Sequence, residues 1–285
     1  MIYPAAITPR RSTGVSIDIA AALESLSFLE SHGVDGITLL GSTGEFLHFE
    51  SQDRGRFAAM AVKRCRVPIL VNVSHSAFEG AVALGQQALD DGAAGILLLP
   101  PNYYRYTQDS IRAWFLEFAA QVKGPIYLYN IPQFTTEIQL PTALDLLATG
   151  AFAGIKDSSG IWENFEAIHK AGHKIFIGAD LMYARAARLG ATGSISGTAS
   201  VLPEWMVAID RCARAGQDTT ELEARLAHFA RWMNQFPFPV VLREAAVIRG
   251  LKPGPHACPL GPDELRRLEE FRVWFREGMA ADQHQ

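Results

Sequence analysis

Near its middle the chain reads Gly154-Ile155-Lys156-Asp157-Ser158-Ser159-Gly160, directly after the apolar residues Phe152 and Ala153. A short apolar run of this kind indicates a fully buried strand of a parallel sheet. The serines and the glycine favour a turn or a helix start, so Lys156 is expected where the strand ends. A buried ammonium group is costly unless its pKa falls, and lysines with a lowered pKa act as nucleophiles. The alternative, for this residue taken alone, is a lysine whose stem covers the sheet edge while its charge reaches water.

Seven further apolar runs lie on either side of this strand, and helical stripes separate them. We predict strands over residues 3–8, 34–40, 68–73, 95–99, 125–130, 152–155, 174–178 and 191–195. Eight short strands alternating with helices predict an α/β fold of the (β/α)₈ TIM barrel type. An open doubly wound sheet is the alternative, but it gives no reason for eight strands, and no GxGxxG follows the first one.

A weak internal repeat supports the barrel. The three segments that carry it are Gly33-Val34-Asp35-Gly36-Ile37, Gly92-Ala93-Ala94-Gly95-Ile96 and Gly190-Ala191-Thr192-Gly193. Each lies where a helix ends and a strand begins, and the first glycine is predicted to cap the helix.

No strand pattern follows Pro203. Helical stripes run through residues 204–215, 220–234, 240–249 and 262–278 instead. We therefore predict a barrel over residues 1–215 and, over residues 216–285, an additional C-terminal helical extension packed on it.

Composition excludes several classes of protein. The 285 residues carry a formal net charge of −4, which gives no case for a nucleic-acid partner. Cys65, Cys212 and Cys258 are far apart and lack CxxC spacing, so neither a disulfide framework nor a metal site is indicated. No apolar run approaches the roughly 20 residues that span a bilayer. We expect a cytoplasmic protein without a membrane partner.

The active site of such a barrel lies at the carboxyl ends of its strands. The polar residues predicted there are Ser42, Thr43, Asn72, His75, Tyr103, Tyr104, Tyr129, Asn130, Lys156, Asp180 and Ser196. This set contains one amine, several phenols and several hydroxyl groups, and it lacks a convincing metal cluster.

A lysine nucleophile condenses with a carbonyl group to form a Schiff base, which accepts electrons in carbon–carbon bond chemistry. A phenol such as that of Tyr129 can carry the proton that this chemistry moves. The turn Gly41-Ser42-Thr43-Gly44 offers backbone N–H groups and two hydroxyls to a carboxylate. A 2-keto acid fits because its carboxylate lies beside the carbonyl that the amine attacks.

Several motifs in this order resemble the dihydrodipicolinate synthase / N-acetylneuraminate lyase family of class I, pyruvate-dependent aldolases. They are Gly41-Ser42-Thr43-Gly44-Glu45 (family GTTGE), Pro101-Asn102-Tyr103-Tyr104 (PYY), Tyr129-Asn130-Ile131-Pro132 (YNxP), Gly154-Ile155-Lys156-Asp157 (Schiff-base segment) and Phe238-Pro239-Val240. The resemblance covers nearly the whole chain.

The resemblance implies a role for four of these residues. Lys156 would form the Schiff base with pyruvate or the keto-acid substrate, and Tyr129 would carry the proton. Ser42 and Thr43 would hold the keto-acid carboxylate, and Thr43 would also relay a proton. No cofactor is implied beyond the covalent link to lysine.

The resemblance also implies an assembly. Tyr103 matches a tyrosine that family members donate across a subunit interface, so a tight dimer within a homotetramer is expected. The backbone carbonyl of Ile195 matches the family position that faces the lysine amine. The expected partners are a 2-keto acid, in the first place pyruvate, and an aldehyde.

These assignments have structural alternatives. Tyr129 could be a barrel tyrosine whose hydroxyl bonds the backbone. Ser42 and Thr43 could cap the following helix. Tyr103 could be an ordinary interface aromatic residue, and Asp157 is expected to cap or to form a salt bridge rather than to act as an acid.

Departures from the family narrow the substrate. Phe134 stands where dihydrodipicolinate synthases have an arginine for the aspartate-semialdehyde carboxylate, and losing that cation should cost several kcal/mol of binding. Leu181 replaces a glutamate of the sialic acid lyases, and Ser200 replaces an asparagine with no clear consequence. The segment from Lys156 to Gly160 is more like the 2-keto-3-deoxy sugar acid aldolases and dehydratases.

We therefore predict a Schiff-base-forming lyase that releases pyruvate from, or adds it to, a 2-keto-3-deoxy sugar acid or related 2-keto acid. The alternatives are a dehydratase of such acids, a true dihydrodipicolinate synthase, and a non-catalytic relative that binds keto acids.

Overall fold

The structure, a computed structural model, describes residues 1–12 and 16–282, with side chains described as far as Met279. Eight parallel strands form its sheet in the order β1-β8-β7-β6-β5-β4-β3-β2. The strands are β1 (Ile2–Pro4), β2 (Ile37–Leu39), β3 (Ile69–Asn72), β4 (Gly95–Leu98), β5 (Ile126–Asn130), β6 (Gly154–Asp157), β7 (Ile175–Ile177) and β8 (Gly193–Ser196). A parallel β-bridge between Ala5, directly after β1, and Thr38, in β2, closes the ring. The predicted (β/α)₈ TIM barrel is confirmed.

Helices join the strands on the outside of the barrel. They are α1 (Ile19–Ser31), α2 (Ser51–Arg64), α3 (Phe78–Asp90), α4 (Gln108–Gln121), α5 (Leu140–Ala148), α6 (Trp162–Lys170), α7 (Tyr183–Arg188) and α8 (Pro203–Arg214). Asp18 starts α1 by accepting a hydrogen bond from the Ala21 amide at 3.1 Å. Gly33, Gly92 and Gly190 follow helix ends with φ of 73°, 97° and 96°. Only glycine adopts these angles without strain, so the predicted caps are confirmed.

Three more helices follow the barrel: α9 (Thr220–Met233), α10 (Val240–Ile248) and α11 (Pro262–Asp282). Their apolar faces form a second core around Phe229, Phe271 and Phe275, which are at most 2% exposed. The additional C-terminal helices are confirmed. The division of the chain after residue 215 remains a prediction, and the last residues of the predicted extension, 283–285, lie outside the described part.

Strand β6 differs from its predicted extent in a way that concerns Lys156. The predicted strand stops before Lys156, whereas β6 continues to Asp157. Backbone bonds explain the extension, because the Gly178 amide donates to Asp157 at 2.7 Å and the Ser158 amide donates to Asn130 at 2.8 Å. Lys156 therefore lies inside the hydrogen-bonded strand, in register with Tyr129 and Phe176 on the two neighbouring strands.

No helix in the described ranges is both long enough and apolar enough to cross a bilayer.

Candidate active site

Lys156 is buried near the carboxyl end of β6, with 4% of its surface exposed. Its Nζ atom lies over the ring of Tyr129, 4.1 Å from the ring centroid. Register explains the contact, because the two residues are partners on adjacent strands. An aromatic face is a favourable neighbour for an ammonium group and offers no hydrogen-bond acceptor to it. The amine therefore remains available to a ligand.

Gly178, directly after β7, leaves the space that the lysine side chain occupies. A Cβ atom at this position would lie 3.1 Å from Lys156 Cε and 1.9 Å from Ser158 Oγ. A side chain here would force its neighbours to move. This role of Gly178 was not predicted; its one signal in the sequence is a glycine at the end of an apolar run.

Ser42 and Thr43 lie in a turn that reaches the same site. The Ser42 and Tyr129 hydroxyls are 3.2 Å apart and share a hydrogen bond. Thr43 is 4% exposed. Gly197 leaves room for it, since a Cβ there would lie 3.3 Å from Thr43 Oγ1. Neither side chain caps the helical turn over Phe46–His48, which begins at Glu45 without a side-chain cap. The capping alternative is therefore wrong.

The backbone enters and leaves this turn in a strained conformation. Leu40 and Glu45 have φ of 57° and 51°. A left-handed conformation costs a residue with a Cβ atom roughly 1–2 kcal/mol. Strain of this kind persists only where the surroundings hold it, and it concentrates at functional sites.

Asp157 braces strands β5 and β6. Its carboxylate accepts hydrogen bonds from Asn130 Nδ2 at 2.8 Å and from Ser159 Oγ at 2.7 Å. Burial raises the pKa of this carboxyl, although the bonds from Ser159 and Asn130 oppose the rise. The two oxygens of Asp157 are thus engaged by protein donors, one of them on the neighbouring strand β5.

Asp180, the first residue of the helical turn over Asp180–Met182, lines the same site. Its Oδ2 accepts a hydrogen bond from the Thr198 amide at 3.2 Å. Its Oδ1 is buried and has no hydrogen-bond partner among the described residues. Burial raises the pKa of Asp180, and the hydrogen bond from the Thr198 amide and the charge of Lys156 oppose the rise. Asp180 was predicted to lie after a strand end, without a role.

One cavity of about 680 Å³ has Lys156, Gly178 and Asp180 in its wall. The sequence-predicted residues on its wall are Ser42, Thr43, Tyr129, Lys156 and Ile195. The C-terminal part of the chain supplies an apolar side of the same cavity, with Met233, Phe236 and Phe238. This contribution was not predicted. The volume accommodates a ligand much larger than pyruvate.

Tyr103 is not brought to Lys156 within one chain. It is 90% exposed and has φ of 73°. It lines a neighbouring cavity of about 470 Å³, which shares Ser42, Phe134 and Phe238 with the first cavity.

The residues that depart from the family pattern lie at these cavities. Phe134 is 53% exposed, and its ring centroid is 6.0 Å from that of Phe238. Leu181 is 55% exposed and lines the lysine cavity. Lys156 is the only lysine or arginine among the described residues that line the two cavities. Within the described ranges, no group of three or more His, Cys, Asp or Glu residues could hold a metal ion.

A parallel barrel with an amine, a phenol and hydroxyls along its carboxyl rim has the fold and the groups of a barrel lyase. The model of the dihydrodipicolinate synthetase family matches residues 1–277 of the chain. The chain belongs to this family, as its motifs predicted. Family members are pyruvate-dependent lyases and aldolases, and the protein is a lyase.

Individual relatives cover nearly the whole chain. The 4-hydroxy-tetrahydrodipicolinate synthase of Methanoculleus marisnigri is 31% identical over 281 residues, 95% of this chain and 96% of its own. The structure of the enzyme of that name from Methylacidiphilum fumariolicum has a TM-score of 0.89 at 25% identity and covers 99% of this chain and 98% of its own. A 2-keto 3-deoxygluconate aldolase from Picrophilus torridus has a TM-score of 0.84 over 91% of this chain and 97% of its own; at 24% identity, this likeness shows the fold alone.

Proposed function

We propose that the protein is a Schiff-base-forming class I lyase that releases pyruvate from, or adds it to, a hydroxylated 2-keto acid. One observation carries the proposal: the buried Lys156 amine lies 4.1 Å from the Tyr129 ring centroid, and the Tyr129 hydroxyl bonds Ser42 beside the same cavity. An amine, a proton carrier and a carboxylate-binding turn are the three groups that this chemistry needs.

The reaction follows from these groups. Lys156 Nζ attacks the C2 carbonyl of the keto acid, water leaves, and a protonated imine forms. Tyr129 takes the proton of the C4 hydroxyl, the C3–C4 bond breaks, and its electron pair moves toward the imine nitrogen. An aldehyde leaves, and the remaining enamine takes a proton at C3. Water then hydrolyses the imine to pyruvate and the free amine.

The turn would orient the substrate. Backbone N–H groups and the Ser42 and Thr43 hydroxyls would hold the carboxylate next to the carbonyl that the amine attacks. Thr43 would also relay a proton, and the carbonyl of Ile195 would face the amine. Ile195 supports this proposal by lining the same cavity as Lys156.

We propose a 2-keto-3-deoxy sugar acid, or a related acid, as the substrate. Asp180, Ser158 and Ser159 line the same cavity as Lys156 and offer a carboxylate and two hydroxyl groups to a substrate. Such donors and acceptors suit the hydroxyl groups beyond C3 of a sugar acid.

A second candidate is 4-hydroxy-tetrahydrodipicolinate synthase, the name borne by the Methanoculleus marisnigri relative. Phe134 disfavours it, because an apolar ring stands at the position of the arginine that receives the second carboxylate. A dehydratase would share the imine but expel water instead of an aldehyde. Analysis of the products separates these reactions.

We also propose a homotetramer of two tight dimers in the cytoplasm. The exposed side chains of Tyr103, Tyr104 and Leu47 support a subunit interface beside the second cavity. The three cysteines are free, as suits a reducing compartment.

Borohydride reduction in the presence of pyruvate tests the central step. We expect the mass of the chain to rise by one reduced pyruvate adduct and peptide mapping to locate it at Lys156, while Lys156→Ala stays unmodified. A screen for pyruvate release over 2-keto acids then identifies the substrate. Absence of an adduct, or an adduct on another lysine only, would refute the proposal.

A further inference from the structure

The strained turn that carries Ser42 and Thr43 is held at both of its ends. At the first end, Asn72 Nδ2 donates to the Leu40 carbonyl at 2.7 Å. Arg54 supports Asn72 by donating to the carbonyls of Asn72 and Ser74 at 3.2 and 2.9 Å. This end is therefore fixed by the barrel itself, through β3 and α2.

The second end is held by a buried ion pair with the C-terminal extension. Arg243, on α10, donates to Glu45 Oε2 at 2.6 Å, and the two residues are 198 positions apart in the chain. Their side chains are only 1% and 6% exposed. Leaving one member of such a pair buried without its partner is strongly unfavourable, so each charge constrains the position of the other.

Arg243 is itself fixed by the segment that follows α10. Its guanidinium also donates to the carbonyls of Pro253 and Pro255. The amide of Arg10 donates to the Pro253 carbonyl at 2.9 Å. Arg243 thus connects the helical extension to Glu45, the last residue of the turn.

We infer that Arg243 is a positioning residue, which acts through Glu45 to keep the Ser42–Thr43 turn in the shape that binds the substrate carboxylate. The inference rests on the proposed function, and it assigns the C-terminal extension a part in recognition. The turn follows β2 and the amine lies on β6, four strands away in the ring. Loss of the ion pair should therefore weaken recognition of the carboxylate and leave the reactivity of the amine intact.

The substitution Glu45→Asn tests the ion pair separately from the backbone. Asparagine tolerates the left-handed conformation better than glutamate, but its side chain is one methylene shorter than the one that reaches Arg243. We expect the half-saturating pyruvate concentration for borohydride labelling of Lys156 to rise at least about tenfold. The limiting labelling rate at saturation should stay within about twofold of the wild type, because the amine is unchanged.

A ketone without a carboxylate supplies the second readout. The ratio of labelling rates for pyruvate and hydroxyacetone should fall in Glu45→Asn, since only pyruvate has a carboxylate for the turn to bind. Arg243→Lys keeps the charge but cannot reach Glu45 and both carbonyls together, so it should show a smaller shift of the same kind. If larger changes at Arg243 prevent folding, Arg243→Lys still tests the inference.

Arg249→Ala, at the residue that directly follows α10, is the matched control. Arg249 pairs with Glu204 at 2.6 Å, away from the turn. Its loss should lower the melting temperature without changing the half-saturating pyruvate concentration. An unchanged half-saturation in Glu45→Asn, or an equal fall in labelling with both ketones, would overturn the inference. A wild-type protein that pyruvate does not label would refute the proposed function instead.

Discussion

Replacing Gly178 by alanine tests whether the position of the lysine amine determines activity. The added methyl group would lie 1.9 Å from Ser158 Oγ and 3.1 Å from Lys156 Cε. Ser158 cannot move its backbone freely, because its amide bonds Asn130 and its carbonyl accepts a hydrogen bond from Gln133. The serine side chain must rotate, and the lysine stem must shift by a few tenths of an ångström.

The expected effects follow from these displacements. Overpacking a buried site costs about 1–3 kcal/mol of unfolding free energy. A misplacement of about 1 Å at a reacting group costs on the order of a hundredfold in rate, so the smaller shift of Lys156 should cost about 10- to 100-fold. We expect this loss both in labelling by pyruvate with borohydride and in turnover.

Gly85→Ala supplies a control that is matched in kind. Its Cβ atom would lie 2.8 Å from the ring of Phe118, in the packing between α3 and α4 and away from the lysine. This variant should also lose stability, measured by thermal unfolding, but should retain the labelling rate of Lys156. Wild-type labelling in Gly178→Ala, or an equal loss of labelling in both variants, would refute the reasoning.

Two further predictions concern the phenol and the pH dependence of stability. Tyr129→Phe keeps the ring beneath the amine but removes the hydroxyl that bonds Ser42. Turnover should fall about 10²- to 10⁴-fold, while borohydride labelling by pyruvate persists. Equal turnover in the two proteins would contradict a proton-carrying role. Burial alone would raise the pKa of Asp210, but hydrogen bonds from Tyr183 and Arg214 hold it below the usual value. Its contribution to stability is therefore present above the usual carboxyl pKa of about 4 and is lost as the pH falls toward the folded-state value. The difference in melting temperature between wild type and Asp210→Asn should shrink over that acidic range, and a constant difference would contradict this account.

Local patterns were sufficient to predict the barrel. Apolar runs, helical stripes and the glycines at residues 33, 92 and 190 all act within a few positions of the chain. The end of β6 was placed too early because Ser158, Ser159 and Gly160, which follow it, favour a turn or a helix start. Two backbone hydrogen bonds extend the strand: the Gly178 amide donates to the Asp157 carbonyl, and the Ser158 amide donates to the Asn130 carbonyl. No local sequence pattern indicates these bonds.

The part of the candidate site that lies at strand ends could be predicted from the sequence. Tyr129, Lys156 and the turn at Ser42 meet because parallel strands of a barrel present their carboxyl ends at one rim. Tyr103 is absent from this group, since one chain alone does not carry it to the amine. Roles that depend on contacts between distant parts of the chain, such as the space left by Gly178, required coordinates.

The ion pair of Arg243 with Glu45 was beyond sequence reasoning for the same reason. An arginine within a helical stripe is ordinarily a solvated residue, and nothing near it in the chain indicates a carboxylate 198 positions away. Its burial is a consequence of tertiary packing alone.

The lysine cavity is lined by residues from two parts of the chain, the barrel and the C-terminal extension. Strand ends supply the amine and the phenol, whereas Met233 comes from the end of α9 and Phe236 and Phe238 come from the segment between α9 and α10. Substitutions at these three residues would reshape the space for the aldehyde of the proposed reaction without changing Lys156 or Tyr129. Within this architecture, a new preference for aldehydes can therefore evolve, or be engineered, at the C-terminal end of the chain while the reaction itself is inherited unchanged.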